Sequence, residues 1–136
     1  MKFLVDANVL SEATKQSAAP EVIEWLMANE SDLAVNPIVL GELEFGILRL
    51  PAGRRKTQLR EWFNQAPNRL RVLDIDTNTS QVWATLLAKL SRKGRSMPVS
   101  DSLIAATALQ YNLTIATRNT VDYQYAGIEV LNPFRA

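Results

Sequence analysis

The segment FLVDANVL, residues 3–10, is a short apolar run that ends at an aspartate, Asp6. Comparable β-branched or aliphatic runs recur along the chain, and each is short enough to form one strand. They are Phe3–Val5, Leu33–Val35, Leu70–Leu73, Thr114–Ala116 and Ile128–Leu131. Helical patterns lie between most of them. Strands that alternate with helices predict an α/β layered fold with a mainly parallel sheet.

The clearest helix signal follows the second of these runs. Asn36 is a good N-cap residue, and Pro37 suits the first helical position. The sequence Leu-Pro-Ala-Gly at 50–53 then predicts the end of the helix. Apolar residues at helical spacing mark this helix and two others: Leu40, Leu43 and Ile47; Val22 and Leu26; Val82, Leu86 and Leu90. The three tryptophans also fall at helical positions and are predicted to pack in the core: Trp25, Trp62 and Trp83.

Composition limits the class of protein. A chain of 136 residues, 47% apolar, predicts one globular domain over residues 1–136. The net charge of +1 gives no overall attraction to polyanions, so nucleic-acid binding would require local patches. The absence of cysteine excludes disulfides and fits a reducing cytoplasm. The first apolar run is too short for a signal peptide and no stretch could span a bilayer, so we expect a cytoplasmic protein.

Four carboxylates stand in contexts that suggest a shared site. Asp6 directly follows a strand, and Asp101, in PVSDSLIAATAL, lies in the first turn of a helix for which Ser100 is a plausible N-cap. Asp122, in IATRNTVDY, follows another strand by a short loop that Asn119 would cap. Sites in open parallel sheets lie beyond the carboxyl ends of the strands. The fourth acid, Glu42 in VLGELEFGI, lies inside a helix.

The chemistry available to these acids is narrow. The chain contains no histidine and no cysteine, which excludes most nucleophile–base pairs and any His/Cys zinc site. Carboxylate oxygens suit Mg²⁺ or Mn²⁺. Two like charges about 4 Å apart repel by about 4 kcal/mol at an effective dielectric near 20. A convergent cluster of carboxylates therefore requires a cation, a shared proton or a nearby arginine or lysine. Taken one at a time, each acid could instead be a turn, capping or solvated residue.

At these residues the chain resembles the PIN-domain family, in particular the VapC/FitB-like ribonuclease toxins. The resemblance runs through FLVDANVLSE, GELEFGI, SDSLIAATAL and TRNTVDY, in this order. It implies a Rossmann-like fold with a five-stranded, mainly parallel sheet flanked by helices. It also implies acids around one or two Mg²⁺ or Mn²⁺ ions. The matching positions are Asp6, Glu42, Asp101 and Asp122, with Asn119 at a polar position beside them.

The resemblance implies a metal-dependent endoribonuclease that hydrolyses phosphodiester bonds of tRNA or other structured RNA. Asp6 and Asp101 would bind metal directly, Glu42 would act through water or as a base, and Asp122 and Asn119 would complete the outer ring. The chain departs from the family at Ala7 and Val39, where hydroxyl side chains are common. The family also implies a homodimer and a small DNA-binding antitoxin whose tail occupies the acidic groove.

Basic residues predict where RNA would bind. The span 49–71 contains seven basic residues and one acid, and Arg54, Arg55 and Lys56 form its densest part. Together with Arg118 these are the candidate phosphate contacts. A second cluster comprises Arg92, Lys93 and Arg95. A solvated helix face is the alternative explanation of each cluster.

Four other classes of protein remain as alternatives. A signalling receiver also gathers acids at strand ends, but it usually has a lysine near its last strands, and residues 114–131 contain none. A non-catalytic PIN-like scaffold would be expected to lose acids, whereas all four are present. An aspartyl phosphatase would need a second aspartate where Asn8 stands. A DNA-directed nuclease would use similar metals and is distinguished by its substrate.

Overall fold

The structure, a computed structural model, describes residues 1–65 and 69–135. Five strands are present: β1 (Phe3–Val5), β2 (Leu33–Val35), β3 (Arg71–Val72), β4 (Thr114–Ala116) and β5 (Val130–Leu131). Six α-helices accompany them: α1 (Ala7–Glu12), α2 (Pro20–Ala28), α3 (Pro37–Leu48), α4 (Arg54–Gln65), α5 (Thr77–Arg92) and α6 (Val99–Tyr111). Short 3₁₀ turns cover Glu30–Asp32, Thr120–Tyr123 and Pro133–Arg135.

The strands form one parallel sheet in the order β3-β2-β1-β4-β5. The predicted fold class is therefore confirmed. The two edge strands are shorter than the apolar runs at 70–73 and 128–131 predict, because each has a single neighbour and pairs with it over two residues. The chain leaves β1 toward β2 on one side of the sheet and later returns to β4 on the other. Such a reversal of strand order opens a crevice at the carboxyl ends of the strands.

The core explains why the central strands carry no polar alternation. Leu4 and Val5 of β1 and Ala34 and Val35 of β2 are completely buried, as expected for a sheet covered on both faces. Helix α6 buries Ile104 and its alanine neighbours against the sheet and against α5. Among the described residues no helix has the length and apolar character needed to cross a bilayer.

Two of the predicted tryptophan contacts are well defined. Trp25 packs edge-on against the ring of Phe3, with the ring centroids 4.9 Å apart. The indole Nε1 of Trp83 donates to the Ser102 hydroxyl at 2.8 Å, which ties α5 to α6. Trp25 and Trp62 both pack against the buried core, so the prediction of core packing is confirmed for these two residues.

Helix α3 begins as predicted. The Asn36 side chain accepts a hydrogen bond from the Val39 amide at 3.0 Å, and Pro37 is the first helical residue. The helix ends at Leu48, just before the predicted break. This start brings α3 off the carboxyl end of β2, so Glu42 is carried toward the same edge of the sheet as the ends of β1 and β4.

The start of α6 differs from the prediction that Ser100 caps it. The helix begins at Val99 with Pro98 at the N-cap position, and no side chain caps it. Pro98 has an extended backbone, with φ of −53° and ψ of 146°, and the helical conformation begins at Val99, two residues earlier than a cap at Ser100 would place it. Asp101 still lies in the first turn, where a negative charge complements the helix dipole.

Candidate active site

Asp6 is the buried centre of the site. It follows β1 directly, is 6% exposed and caps α1, because its Oδ1 accepts from the Ala7 amide at 2.9 Å. Its Oδ2 accepts from the hydroxyl of Thr117 at 2.8 Å. A longer bond of 3.4 Å comes from Asn8. These donors stabilise a carboxylate that burial would otherwise disfavour and fix its orientation.

Tyr123 bridges two of the predicted acids. Its side chain is 1% exposed, and its hydroxyl lies 3.4 Å from Oδ2 of Asp6 and 3.5 Å from Oδ1 of Asp101. Burial, and then the charges of Asp6, Asp101 and Glu42, raise the pKa of Tyr123 far above its usual value. The phenol therefore stays protonated and remains a hydrogen-bond donor between the two carboxylates.

Glu42 and Asp101 feel the negative charge of the site most strongly. Loss of solvent around the carboxylate, and then the charges of Asp6 and Asp101, raise the pKa of Glu42 from 4.5 to about 7. Burial first, then Asp6 and Asp122, raise the pKa of Asp101, while the hydroxyl of Tyr123 opposes that rise. The charge effects link Glu42 with Asp6 and Asp101, and Asp101 with Asp122, so each predicted acid lies near at least one other.

The remaining predicted ring residues lie at the open side of this space. Asp122 and Asn119 are both exposed and belong to the 3₁₀ turn that follows β4. Asn119 occupies the N-cap position as predicted, but its side chain makes no capping bond; instead its backbone carbonyl accepts from the Asp122 amide at 3.1 Å. The backbone of the turn, and not a capping side chain, therefore sets the positions of Asn119 and Asp122.

The donor set of the site is entirely oxygen. Within residues 1–65 and 69–135, no three acidic side chains stand close enough together to form a ready-made metal site. The carboxylates nevertheless fit a hard divalent cation in their chemistry. Burial first, and then the charges of neighbouring carboxylates, raise the pKa of Glu42 and of Asp101, and a cation would offset both effects. The identity of the ligands stays a prediction.

Sequence reasoning missed the residues that hold Asp6. Thr117 lies 111 positions from Asp6 and reaches it only because β4 pairs with β1. Asn8 links the same elements, since its Nδ2 approaches the Thr117 hydroxyl and its Oδ1 accepts from the Arg118 amide at 3.0 Å. A polar residue directly after a strand that neighbours β1 was the available signal for Thr117.

The departures at Ala7 and Val39 affect the site less than a missing hydroxyl suggests. Ala7 still donates its backbone amide to Asp6. The hydroxyl of Thr117 approaches the other carboxylate oxygen from β4. Val39 is completely buried, and its side chain belongs to the hydrophobic core.

The predicted basic residues lie on two sides of the acids. Arg55 lines a groove that it shares with Asn8 and Glu42, between α1, α3 and α4. Arg54 and Arg55 also line an adjoining polar depression. Lys56 is half-buried, and Arg60 from the same span pairs with Glu44 through two hydrogen bonds of 2.9 and 2.5 Å.

Arg118 stands at the other side of the site. Its guanidinium lies 4.6 Å from the centre of the Phe134 ring, and its charge helps to lower the pKa of the buried Glu12 after the larger effects of a backbone hydrogen bond and of Lys15. The residue is exposed. Of the predicted phosphate contacts, Arg55 is thus the one that shares a groove with a predicted acid, Glu42.

Comparison with known proteins gives full-length matches. Three curated relatives are the plasmid stability protein StbB of Pseudomonas syringae pv. tomato, the VapC ribonuclease Y4jK of Sinorhizobium fredii and the toxin FitB of Neisseria gonorrhoeae. They are 36%, 32% and 32% identical to this chain. The alignments cover 98%, 97% and 97% of this chain and 99%, 97% and 98% of the relatives.

Solved structures agree with this relationship. The crystal structure of FitAcB from Neisseria gonorrhoeae matches with a TM-score of 0.90 at 30% identity, over 98% of this chain and 99% of the other. FitAB bound to an IR36 DNA fragment matches with a TM-score of 0.87 at 30% identity, over 97% and 95%. The PIN domain family matches residues 3–128. Because this match covers most of the chain, and because acids line the carboxyl edge of its parallel sheet, we conclude that the chain belongs to the PIN domain family.

Proposed function

We propose that this protein is a metal-dependent endoribonuclease and the toxin of a toxin–antitoxin pair. The observation that carries the proposal is the convergence of Asp6 and Asp101 on the Tyr123 hydroxyl, at 3.4 and 3.5 Å, with Glu42 close enough for burial and then the charges of both aspartates to raise its pKa. Acids arranged at such a cost to one another are typical of a functional site. The names of the relatives Y4jK and FitB, a ribonuclease and a toxin, support the activity and its biological role.

Mg²⁺ or Mn²⁺ is the proposed cofactor. Asp6 and Asp101 would bind it directly, and Glu42, Asp122 and Asn119 would surround it. When bound, such an ion supplies charge stabilisation at the scissile phosphate and lowers the pKa of water. The hard-oxygen donors support this choice of metal, and the repulsion among them supplies the driving force for binding a cation.

The residues of the chain divide the work of hydrolysis. A carboxylate oxygen of Glu42 can accept a proton from the attacking water. Attack on phosphorus forms the new P–O bond as the bond to the 3′-oxygen breaks. The 3′-oxygen then takes a proton from solvent, and Glu42 returns to solvent the proton that it took from the attacking water. Thr117 and Tyr123 keep Asp6 in one orientation, so little reorganisation is required on reaction.

RNA would lie across both sides of the site. Arg55 lines the groove that contains Glu42, Arg54 lines the depression that adjoins it, and Arg118 follows the end of β4. Cations at these places would bind phosphates that flank the scissile bond. tRNA or another structured RNA is the proposed substrate class.

A small antitoxin is the proposed protein partner. The matching structures contain FitB together with FitA, in one case on DNA, which supports an assembly of this kind. An inhibitory tail in the acidic groove could satisfy the carboxylates with a cationic side chain. A homodimer of the present chain completes the proposed assembly.

The test is cleavage of total cellular RNA, with tRNA included, by the partner-free chain. Incubations with Mg²⁺, with Mn²⁺ and with EDTA would compare the wild type with Asp6→Asn and with Asp74→Asn, an exposed acid in the segment between β3 and α5. We expect discrete metal-dependent fragments from the wild type and Asp74→Asn and none from Asp6→Asn. Equal cleavage by all three chains, or cleavage of single-stranded DNA in preference to RNA, would refute the proposal.

A further inference from the structure

A second depression adjoins the acidic site on the side of Asp122. It has a volume of about 350 Å³, at the lower end of the roughly 300–1,000 Å³ that is typical of ligand pockets. The segment Gly94–Pro98, between α5 and α6, forms one wall, and the 3₁₀ turn with Val121 and Asp122 forms another. Any group bound here would therefore lie next to Asp122, one of the predicted catalytic acids.

Arg95, from the second basic cluster of the sequence, is held in a fixed place in this wall. Helix α5 ends with Gly94 in the left-handed region, at φ 66°. The Arg95 amide then donates to the Leu90 carbonyl at 2.9 Å, and the Gly94 amide donates to the Ser91 carbonyl at 3.0 Å. This is the Schellman arrangement, which fixes the backbone beyond a helix end. A residue placed in this way loses little freedom when it binds a ligand.

The guanidinium of Arg95 lies on an aromatic ring. It stands 4.2 Å from the centre of the Tyr125 ring, within the range of a cation–π contact. Both side chains are exposed, and the Tyr125 side chain retains 40% of its accessible surface. Val121, on the opposite wall, is 68% exposed. The depression thus presents a planar cation, an aromatic ring and an apolar side chain around one opening.

This combination selects one kind of ligand. Unstacked RNA bases are recognised by stacking on aromatic rings and on guanidinium planes. A phosphate is less suited to the depression, because the carboxylate of Asp122 belongs to the same lining. That carboxylate, together with the amide of Gln124, can instead accept hydrogen bonds from the amino groups of a base.

We infer that Arg95 and Tyr125 form a subsite for an unpaired nucleobase next to the scissile phosphate of the RNA. The inference rests on the proposed ribonuclease function and assigns to it a determinant of substrate choice. The chain would then select sites at which a base is free to leave the stack, such as loops. Arg95 and Tyr125 are positioning residues, because they would contact the substrate away from the bond that breaks.

The test measures binding without cleavage. In an Asp101→Asn background, which prevents cleavage, fluorescence polarisation would follow a short labelled single-stranded RNA of mixed sequence and a matched oligomer of abasic ribose phosphates. Arg95→Ala and Tyr125→Ala should each weaken binding of the RNA by about tenfold and leave the abasic oligomer unaffected. Tyr125→Phe should bind as the parent does. Arg92→Ala, an exposed arginine of α5, should alter both probes equally.

The outcomes separate this inference from the proposed function. Parent protein that binds neither probe would refute the ribonuclease proposal and the subsite with it. Parent protein that binds RNA while both alanine variants match it would refute the subsite alone, and would leave the depression for another ligand, a partner protein included. An equal loss for RNA and for the abasic oligomer would also overturn the inference, because it would identify a phosphate contact.

Discussion

Replacing Glu42 by glutamine should stabilise the metal-free protein at alkaline pH. In the folded chain the pKa of Glu42 rises from 4.5 to about 7, so ionisation of this side chain opposes folding. Below the unfolded pKa both chains carry a neutral group, and their stabilities should agree. The advantage of Glu42→Gln should grow as the pH rises from 4.5 toward 7 and be complete above about pH 8.

The size of this effect follows from the difference between the two pKa values. It corresponds to about 3 kcal/mol for a fully desolvated group. Glu42 is, however, an exposed residue. Screening by solvent therefore reduces the expected gain in the free energy of unfolding to about 1–2 kcal/mol. For a chain of this length we expect the Tm to rise by about 3–8 °C.

Thermal unfolding followed by circular dichroism in EDTA, at pH 5 and at pH 8, is the suitable assay. Glu44→Gln provides a matched control on the same helix, because hydrogen bonding and the charge of Arg60 lower the pKa of Glu44. That variant should show no gain at pH 8. A Glu42→Gln protein with a Tm at or below that of the wild type at pH 8, or with the same gain at both pH values, would refute the reasoning.

Three further predictions address the rest of the site. Thr117→Val removes a 2.8 Å hydrogen bond to the buried Asp6 carboxylate and should lower the free energy of unfolding by about 1–3 kcal/mol in urea titrations, whereas Thr117→Ser should retain most of it. Tyr123→Phe keeps the ring but removes the hydroxyl that lowers the pKa of Asp101, so it should destabilise the protein more at pH 8 than at pH 5; an equal loss at both would point to packing alone. Replacing Arg54 and Arg55 by alanine should reduce the slope of log affinity against log salt for RNA by about 2, and an unchanged slope would exclude them as phosphate contacts.

The predictable part of the fold is the part that local signals determine. The apolar run before Asp6 and the Asn36-Pro37 start of α3 each carry their own physical cause within a few residues, and both are found as predicted. The edge strands were less predictable. Their length depends on how many residues a single neighbour can pair, which no local pattern encodes.

The site was predictable in its acids and not in their supports. Asp6 could be predicted because it directly follows a strand, and Asp101 because it lies in the first turn of a helix. Thr117 and Tyr123 are defined by contacts to residues more than twenty positions away in sequence, which exist only once β1, β4 and α6 are assembled. At the start of α6 a local signal gave the wrong residue, because Pro98 occupies the N-cap position that Ser100 was predicted to take.

The proposed subsite at Arg95 shows that neighbouring basic residues in a sequence can have different surroundings in the structure. In sequence, Arg92, Lys93 and Arg95 are equivalent members of one cluster. In the structure, the turn at Gly94 ends the helix and places only Arg95 on the ring of Tyr125. This difference is what makes Arg92 a useful control for Arg95.

The central claim is that these carboxylates together bind one kind of divalent cation. Titration with Mn²⁺, followed by the loss of the free-ion signal in electron paramagnetic resonance, tests it without any RNA. The account predicts saturable binding by the wild type and by Glu44→Gln, and a loss of that binding in Asp6→Asn and Asp101→Asn. A wild-type chain that binds no Mn²⁺, or Asp101→Asn protein that binds it as the wild type does, would contradict the claim.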